Sequence, residues 1–173
     1  MKITRILPLV MLIVGMASVC AAQSKIGYID MQRALNNSDA GREAKDQLQA
    51  KLKNYQVEVN SKQEELQKLK SEIEKQGVAL TETARAAKEK DYQQKLKDFQ
   101  RFTKDAEEDL QARDADFTKK IVEAMDKVVQ EFGKKNGFTV IFDSRGAGML
   151  YADQKVDITD EILKAFNATR TKK

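Results

Sequence analysis

The chain has 173 residues, of which 34 % are charged and only 6 % aromatic, with no Trp and no His. That inventory supplies too few large apolar side chains for a broad globular core and fits long helices exposed on most sides. The formal net charge of +4 is small, and no clustered Lys/Arg stripe accompanies it, which argues against a nucleic-acid binder.

Residues 1–22 have the layout of a secretory signal. Lys2 and Arg5 precede an apolar run from Ile6 to Met16, and the small residues Ala17, Ser18, Ala21 and Ala22 follow. The run is short for a membrane span, so cleavage is expected near Ala22. Cys20 offers the alternative of a lipoprotein signal, against which the bulky Val19 stands. Cleavage removes the only Cys and the only Pro, and net charge falls from +4 to +2 because the segment carries Lys2 and Arg5 and no acid. An exported chain without thiols forms no disulfide.

The stretch from Lys25 to Asp30 alternates apolar and small or polar residues and predicts a short strand, with a short helix after it carrying Met31, Ala34 and Leu35. Asn36 to Asp39 is a turn and cap cluster. A long helix is then expected from Asp39 to Gln76, with its apolar residues at alternating four- and three-residue steps through Leu48, Leu52, Tyr55, Val59, Leu66, Leu69 and Ile73. A second helix, from Glu82 to about Lys134, keeps the same beat through Tyr92, Leu96, Phe99, Ala106 and Leu110. Such a 3.5-residue period makes a narrow apolar stripe that needs another helix to cover it. Between the two lies Gly77 to Thr81, where a glycine can end one helix and Thr81 can cap the next. The expected structure is a long antiparallel hairpin, pairing Leu66 with Leu96, Val59 with Thr103, Leu52 with Leu110 and Leu48 with Arg113. Lys62 and Arg113 interrupt the stripe, where polar residues fix register.

Beyond Gly137 the chain is again strand-like. Phe138–Phe142 is β-branched and aromatic throughout, and Asp143–Gly148 reads as a hairpin loop returning through Met149–Ala152. Thr159 is expected to cap a last amphipathic helix carrying Ile162, Leu163 and Phe166. The fold class is therefore α+β, mostly α. An arm over 39–136, with its tip at 77–81, projects from a small β-rich base made of 23–38 and 137–173. Three short strands and one short helix shield little apolar area alone, so the base is expected to join copies of the chain. Its candidate residues are Ile26, Tyr28, Ile29, Phe138, Val140, Ile141, Phe142, Leu150, Tyr151, Ile162, Leu163 and Phe166, and Asp at Ile141 is expected to break assembly.

Without His or Cys the mature chain lacks the usual general bases, thiol nucleophiles and nitrogen or sulfur metal ligands. Carboxylate pairs such as Glu64-Glu65 and Glu107-Glu108 fall on solvated helix faces, where ion pairing with nearby Lys is the ordinary role. Catalysis and bound cofactors are thus not expected. The charge distribution carries more information. From Glu82 to Lys104 seven basic residues (Arg85, Lys88, Lys90, Lys95, Lys97, Arg101 and Lys104) face four acids, whereas Asp105 to Gly137 has nine acids and six basic residues. A solvated face with an unplanned imbalance is one explanation. The other is that a basic distal arm, with Val57, Val78, Leu80 and Phe102 outside the stripe, attracts acidic unfolded chains or anionic lipid head groups.

The start Ile26-Gly27-Tyr28-Ile29-Asp30-Met31-Gln32-Arg33-Ala34-Leu35, the segment Tyr92–Gln100, and the end from Val140-Ile141-Phe142-Asp143 through Leu150-Tyr151-Ala152-Asp153 to Asp157–Leu163 resemble the Skp/OmpH family of periplasmic chaperones. The resemblance covers essentially the whole mature chain. It implies a homotrimer whose strands assemble into a central body, with three hairpin arms enclosing a cavity. It further implies an ATP-independent holdase that keeps unfolded outer-membrane β-barrel proteins soluble. Client contacts would then come from Val78, Leu80, Phe102 and the basic residues Arg85 to Lys104. The spacing of the family's proposed lipopolysaccharide-binding cluster is not matched here. A structural envelope coiled coil without clients is the alternative.

Overall fold

The computed structural model describes residues 24–76, 80–146 and 148–170. Strand β1 (Ile26–Ile29) leads into helix α1 (Met31–Asn37), the long helices α2 (Asp39–Gln76) and α3 (Glu82–Lys135), strand β2 (Val140–Asp143), a 3₁₀ turn (Gln154–Val156) and helix α4 (Thr159–Arg170). The two long helices have the expected limits to within a residue. The expected signal segment and Val78 lie outside the described residues.

Each boundary has a local cause. Asp30 caps α1 by accepting from the Arg33 amide at 2.9 Å. The fully buried Ser38 then turns the chain sharply into α2: its hydroxyl donates to the Leu35 carbonyl at 2.8 Å and accepts from the Gly41 amide at 2.9 Å. A Cβ at Gly41 would sit 2.0 Å from the Leu35 carbonyl oxygen, so only glycine permits this corner. Thr81 caps α3 through the Ala84 amide, and Gly137, at φ 69°, carries the chain out of its far end.

The sheet differs from expectation. β1 and β2 pair in parallel, Ile26 opposite Val140 through Ile29 opposite Asp143, and the crossover joining them is the entire arm. Because α3 returns the chain to the place where β1 begins, residues after Gly137 run alongside β1 in its own direction. The other side of β1 is taken by the segment before α4, through an amide donated by Ile158 to the Tyr28 carbonyl at 3.0 Å. The hairpin expected between Phe138–Phe142 and Met149–Ala152 does not form. Residues 149–152 adopt neither helix nor strand, and Leu150 and Tyr151 are 101 % and 86 % exposed. The segment lies instead against the outer face of the sheet, where Met149 and Ala152 are half-buried and line a cleft with Ile26, Tyr28 and Phe142.

The core lies at the base of the arm. Met125 and Ile162 are completely buried, with Ile29, Ala34, Ala44, Ile121, Val128, Ile158 and Phe166 around them. Thr159 is the first residue of α4 rather than its cap. Its hydroxyl accepts the Asp30 amide at 3.0 Å, while the Asp157 carboxylate accepts the Thr159 amide at 2.9 Å. One buried hydroxyl thus ties β1 to α4, a larger gain than an exposed cap bond gives.

Candidate functional site

Two surfaces can do work, the flanks of the arm and the outer face of the base. The two helices of the arm pair antiparallel, and toward the tip the pairing lies close to the expected one of Leu66 with Leu96. Lys95 pairs with Glu65 at 2.7 Å and Lys88 with Glu72 at 2.6 Å, two rungs one heptad apart on the same edge of the hairpin. The hydrogen bond from Lys95 holds the Glu65 carboxyl below the usual carboxylate range. Leu66 and Ala106 are buried in the stripe between the helices.

Midway along, the stripe turns polar. The Tyr55 hydroxyl donates to Asp109 at 2.8 Å, and Arg113 approaches the same carboxylate oxygen at 2.6 Å. Arg113 and then Tyr55, both donating, keep Asp109 below the usual carboxylate range. The Tyr55 ring meets Phe102 edge-on at 5.8 Å, and the ammonium groups of Lys51 and Lys62 stand over the rings of Tyr55 and Phe102 at 4.7 and 5.1 Å. Phe102 is therefore a seam residue, not the off-stripe surface residue expected from its phase. Leu52, expected opposite Leu110, is 52 % exposed, and Lys51 is half-buried in its stead. A straight helix drifts from a 3.5-residue repeat, and here the drift brings a lysine stem onto the tyrosine ring.

The basic residues expected to meet clients divide into two groups. Lys88 and Lys95 are engaged in the rungs, Arg85 pairs with Glu89 at 2.9 Å, and Lys104 lies 3.6 Å from Glu108. Among the described residues Lys90, Lys97 and Arg101 form no ion pair, and all three are exposed. Lys90 and Lys70 line an open groove of about 490 Å³ on the edge opposite the rungs, with Ile73, Ala86 and Tyr92 as its apolar lining. Leu80 is half-buried at the start of α3.

The base has two faces because side chains alternate along a strand. Ile29 is buried and Ile141 is packed against the core, with Phe138 beside Phe132 at a ring separation of 6.0 Å. A Cβ at Gly27 would lie 2.9 Å from Phe138, so glycine lets that ring close over β1. Ile162 and Phe166 belong to the same core, and Leu163 is half-buried. The opposite face carries Ile26, Val140 and Phe142, which are 49 %, 37 % and 43 % exposed, beside Leu150 and Tyr151. A cleft of about 330 Å³ opens there between Ile26, Tyr28, Phe142, Met149, Tyr151 and Val156. The twelve residues expected to join copies thus include several that serve the chain's own core, and Ile141 is one of these.

A polar cluster closes the rim of the base. Arg33 Nη2 donates to Asp157 at 2.9 Å. Burial would push the Asp157 carboxyl up, but hydrogen bonds from Thr159 and Arg33 outweigh it and hold the group below the usual range. Burial and the same carboxylate raise the Tyr28 hydroxyl. Among the described residues no group of three His, Cys, Asp or Glu is placed to hold a metal ion, and no helix is long and apolar enough to cross a membrane.

A long two-helix arm on a small base with an exposed apolar face defines a helical-hairpin protein of mostly α, α+β class. The model of the family described as outer membrane protein (OmpH-like) matches residues 25–166, and the chain belongs to that family. Its fold is similar to the crystal structure of a candidate outer membrane chaperone (OmpH-like) from Caulobacter crescentus. The TM-score is 0.78 and the identity 16 %, over 84 % of this chain and 85 % of that one. No curated protein matches the sequence significantly.

Proposed function

We propose that this chain is an ATP-independent holdase of the periplasm, acting on unfolded outer-membrane β-barrel proteins as a homotrimer. Residues 1–22 direct export and are removed near Ala22. Membership of the OmpH-like family supports the chaperone class. The observation that carries the assembly is the apolar outer face of β1 and β2: Ile26 stands opposite Val140, Ile26, Phe142 and Tyr151 line one cleft, and all of these together with Leu150 are exposed in a single chain. Covering it with the same patch region of further copies places several arms around a common space.

Holding then needs no reaction centre. Weak apolar contacts from residues such as Val57, Leu80 and Leu52, with the exposed charges of Lys90, Lys97 and Arg101, bind a mobile client by multivalency. Affinity of this kind lets the client go when its own folding, or an acceptor, competes. The same charges suit anionic lipid or lipopolysaccharide head groups as secondary partners.

The test is dilution of a urea-unfolded outer-membrane β-barrel into the exported protein, with turbidity and native mass followed together. Suppression at about one trimer per client is expected for a cage of weak contacts. Full aggregation in the presence of an intact trimer would leave a structural coiled coil as the better reading.

A further inference from the structure

The heptad phase of the arm repeats charges as well as apolar residues. Lys90, Lys97 and Lys104 share one heptad position on α3, and Asp91, Asp98 and Asp105 share the next. Successive residues of a helix are turned by about 100°, so these two files fall on either side of its outermost line. The geometry fixes which side each takes. Lys90 lines the open groove with Lys70, Glu74 and Glu89, away from the ion-pair rungs. Asp91 and Asp98 act electrostatically on Lys95, which stands in a rung on the opposite edge. Both files are exposed, and their local ties are few: Gln94 donates to Asp98 at 3.2 Å, and Lys104 lies 3.6 Å from Glu108.

The back of α3 in the distal arm therefore carries a file of lysines on one flank and a file of aspartates on the other. Each Lys is the sequence neighbour of an Asp, so the files stand at matched heights above the base. In a closed ring of identical chains with parallel arms, every arm turns one edge to one neighbour and the other edge to the next. We propose that the lysine edge of each arm docks on the aspartate edge of the adjacent copy, drawing the arms together laterally into a closable wall. This inference rests on the ring-shaped oligomer put forward above. An acidic client segment would use the lysine file and leave the aspartate file idle, whereas arm-to-arm docking uses both at the same spacing. Attraction between exposed files reaches about one Debye length, roughly 8 Å at physiological ionic strength, so closure is weak and salt-sensitive.

A spin label at Ala87→Cys, on the outermost line of α3, reports the distance between arms in the exported oligomer. At low salt the native protein should give a short distance that lengthens in 1 M salt by about 10 Å, of the order of the Debye length at 0.1 M. Lys90, Lys97 and Lys104 together changed to Glu, or Asp91, Asp98 and Asp105 together changed to Lys, should each give the long distance already at low salt. All six changes together should restore the short one. An intact oligomer whose distance ignores both triple variants overturns the inference, as does failure of the six-fold swap to restore closure. Weakened capture of an acidic unfolded chain by the Lys variant, strengthened capture by the Asp variant and unchanged arm distances would assign the lysine edge to clients instead. A monomer in native mass measurement would overturn the oligomer reading itself, an outcome distinct from the others.

Discussion

The base and the arm are built on opposite principles. The base concentrates nine buried apolar residues, Met125 and Ile162 among them, and closes its rim with a buried hydroxyl and a shared carboxylate. Along most of the arm the helices meet through a one-residue-wide stripe, reinforced by ion pairs and, midway, by a hydrogen-bonded tyrosine. A dense core resists any change of volume, whereas a thin polar seam opens and recloses at little cost. On the proposed function, assembly falls to the rigid part and adaptable contact to the yielding part.

Removing side-chain volume from the base should have the largest effect. Met125→Ala leaves a cavity with no room to collapse and should cost about 2–5 kcal/mol, read as a lowered midpoint of denaturant unfolding. The two faces of the sheet should then separate cleanly. Ile141→Asp, first expected to divide copies of the chain, should unfold the base because Ile141 packs on the core. Phe142→Asp, on the outer face, should yield a folded chain of lower native mass. Equal behaviour of the two variants in circular dichroism and mass would erase the distinction between faces.

Acid should act next. Asp157 is depressed in the folded chain, so its contribution is fully present above the usual carboxylate range and is lost as pH falls through its lower folded value. Asp157→Asn should lower stability at neutral pH and flatten the acid limb of a stability-against-pH profile. Smaller still is Tyr55→Phe, which removes the donor to Asp109. It should raise hydrogen exchange in the middle of the arm several-fold and leave the base unchanged. Smallest in stability is Arg101→Glu, which breaks no described ion pair. It should slow client capture at low salt and lose that effect at high salt, measured by stopped-flow fluorescence of a labelled client.

Much of this architecture was legible in the chain. The limits of α2 and α3 followed from period and caps, since the heptad signal extends over many turns and Thr81 and Gly137 mark its ends. The antiparallel pairing toward the tip followed from matching one stripe to the other, whereas the expected place of Leu52 did not hold. The sheet was misread because strand signals report burial and not partners: Phe138–Phe142 says that a strand forms, while its pairing with β1 depends on where a long arm delivers the chain. Tyr55, Asp109 and Arg113 carried no local mark as a unit, because their contact spans two helices and depends on register. Phe102 and Leu52 exchanged expected roles for the same reason, a drift of helical phase that single positions do not reveal. The charge files at Lys90-Asp91, Lys97-Asp98 and Lys104-Asp105 were present in the sequence throughout, but their edges acquire meaning only once the rungs show which side is closed.

The most direct test of the division between base and arm compares the exported protein with Phe142→Asp at equal chain concentration, by light scattering of a urea-diluted outer-membrane β-barrel. The account predicts strong suppression by the native oligomer and little by the folded, lower-mass variant, since separated arms enclose nothing. Equal suppression by both would contradict it, because holding would then belong to the single arm and not to the assembly that the base creates.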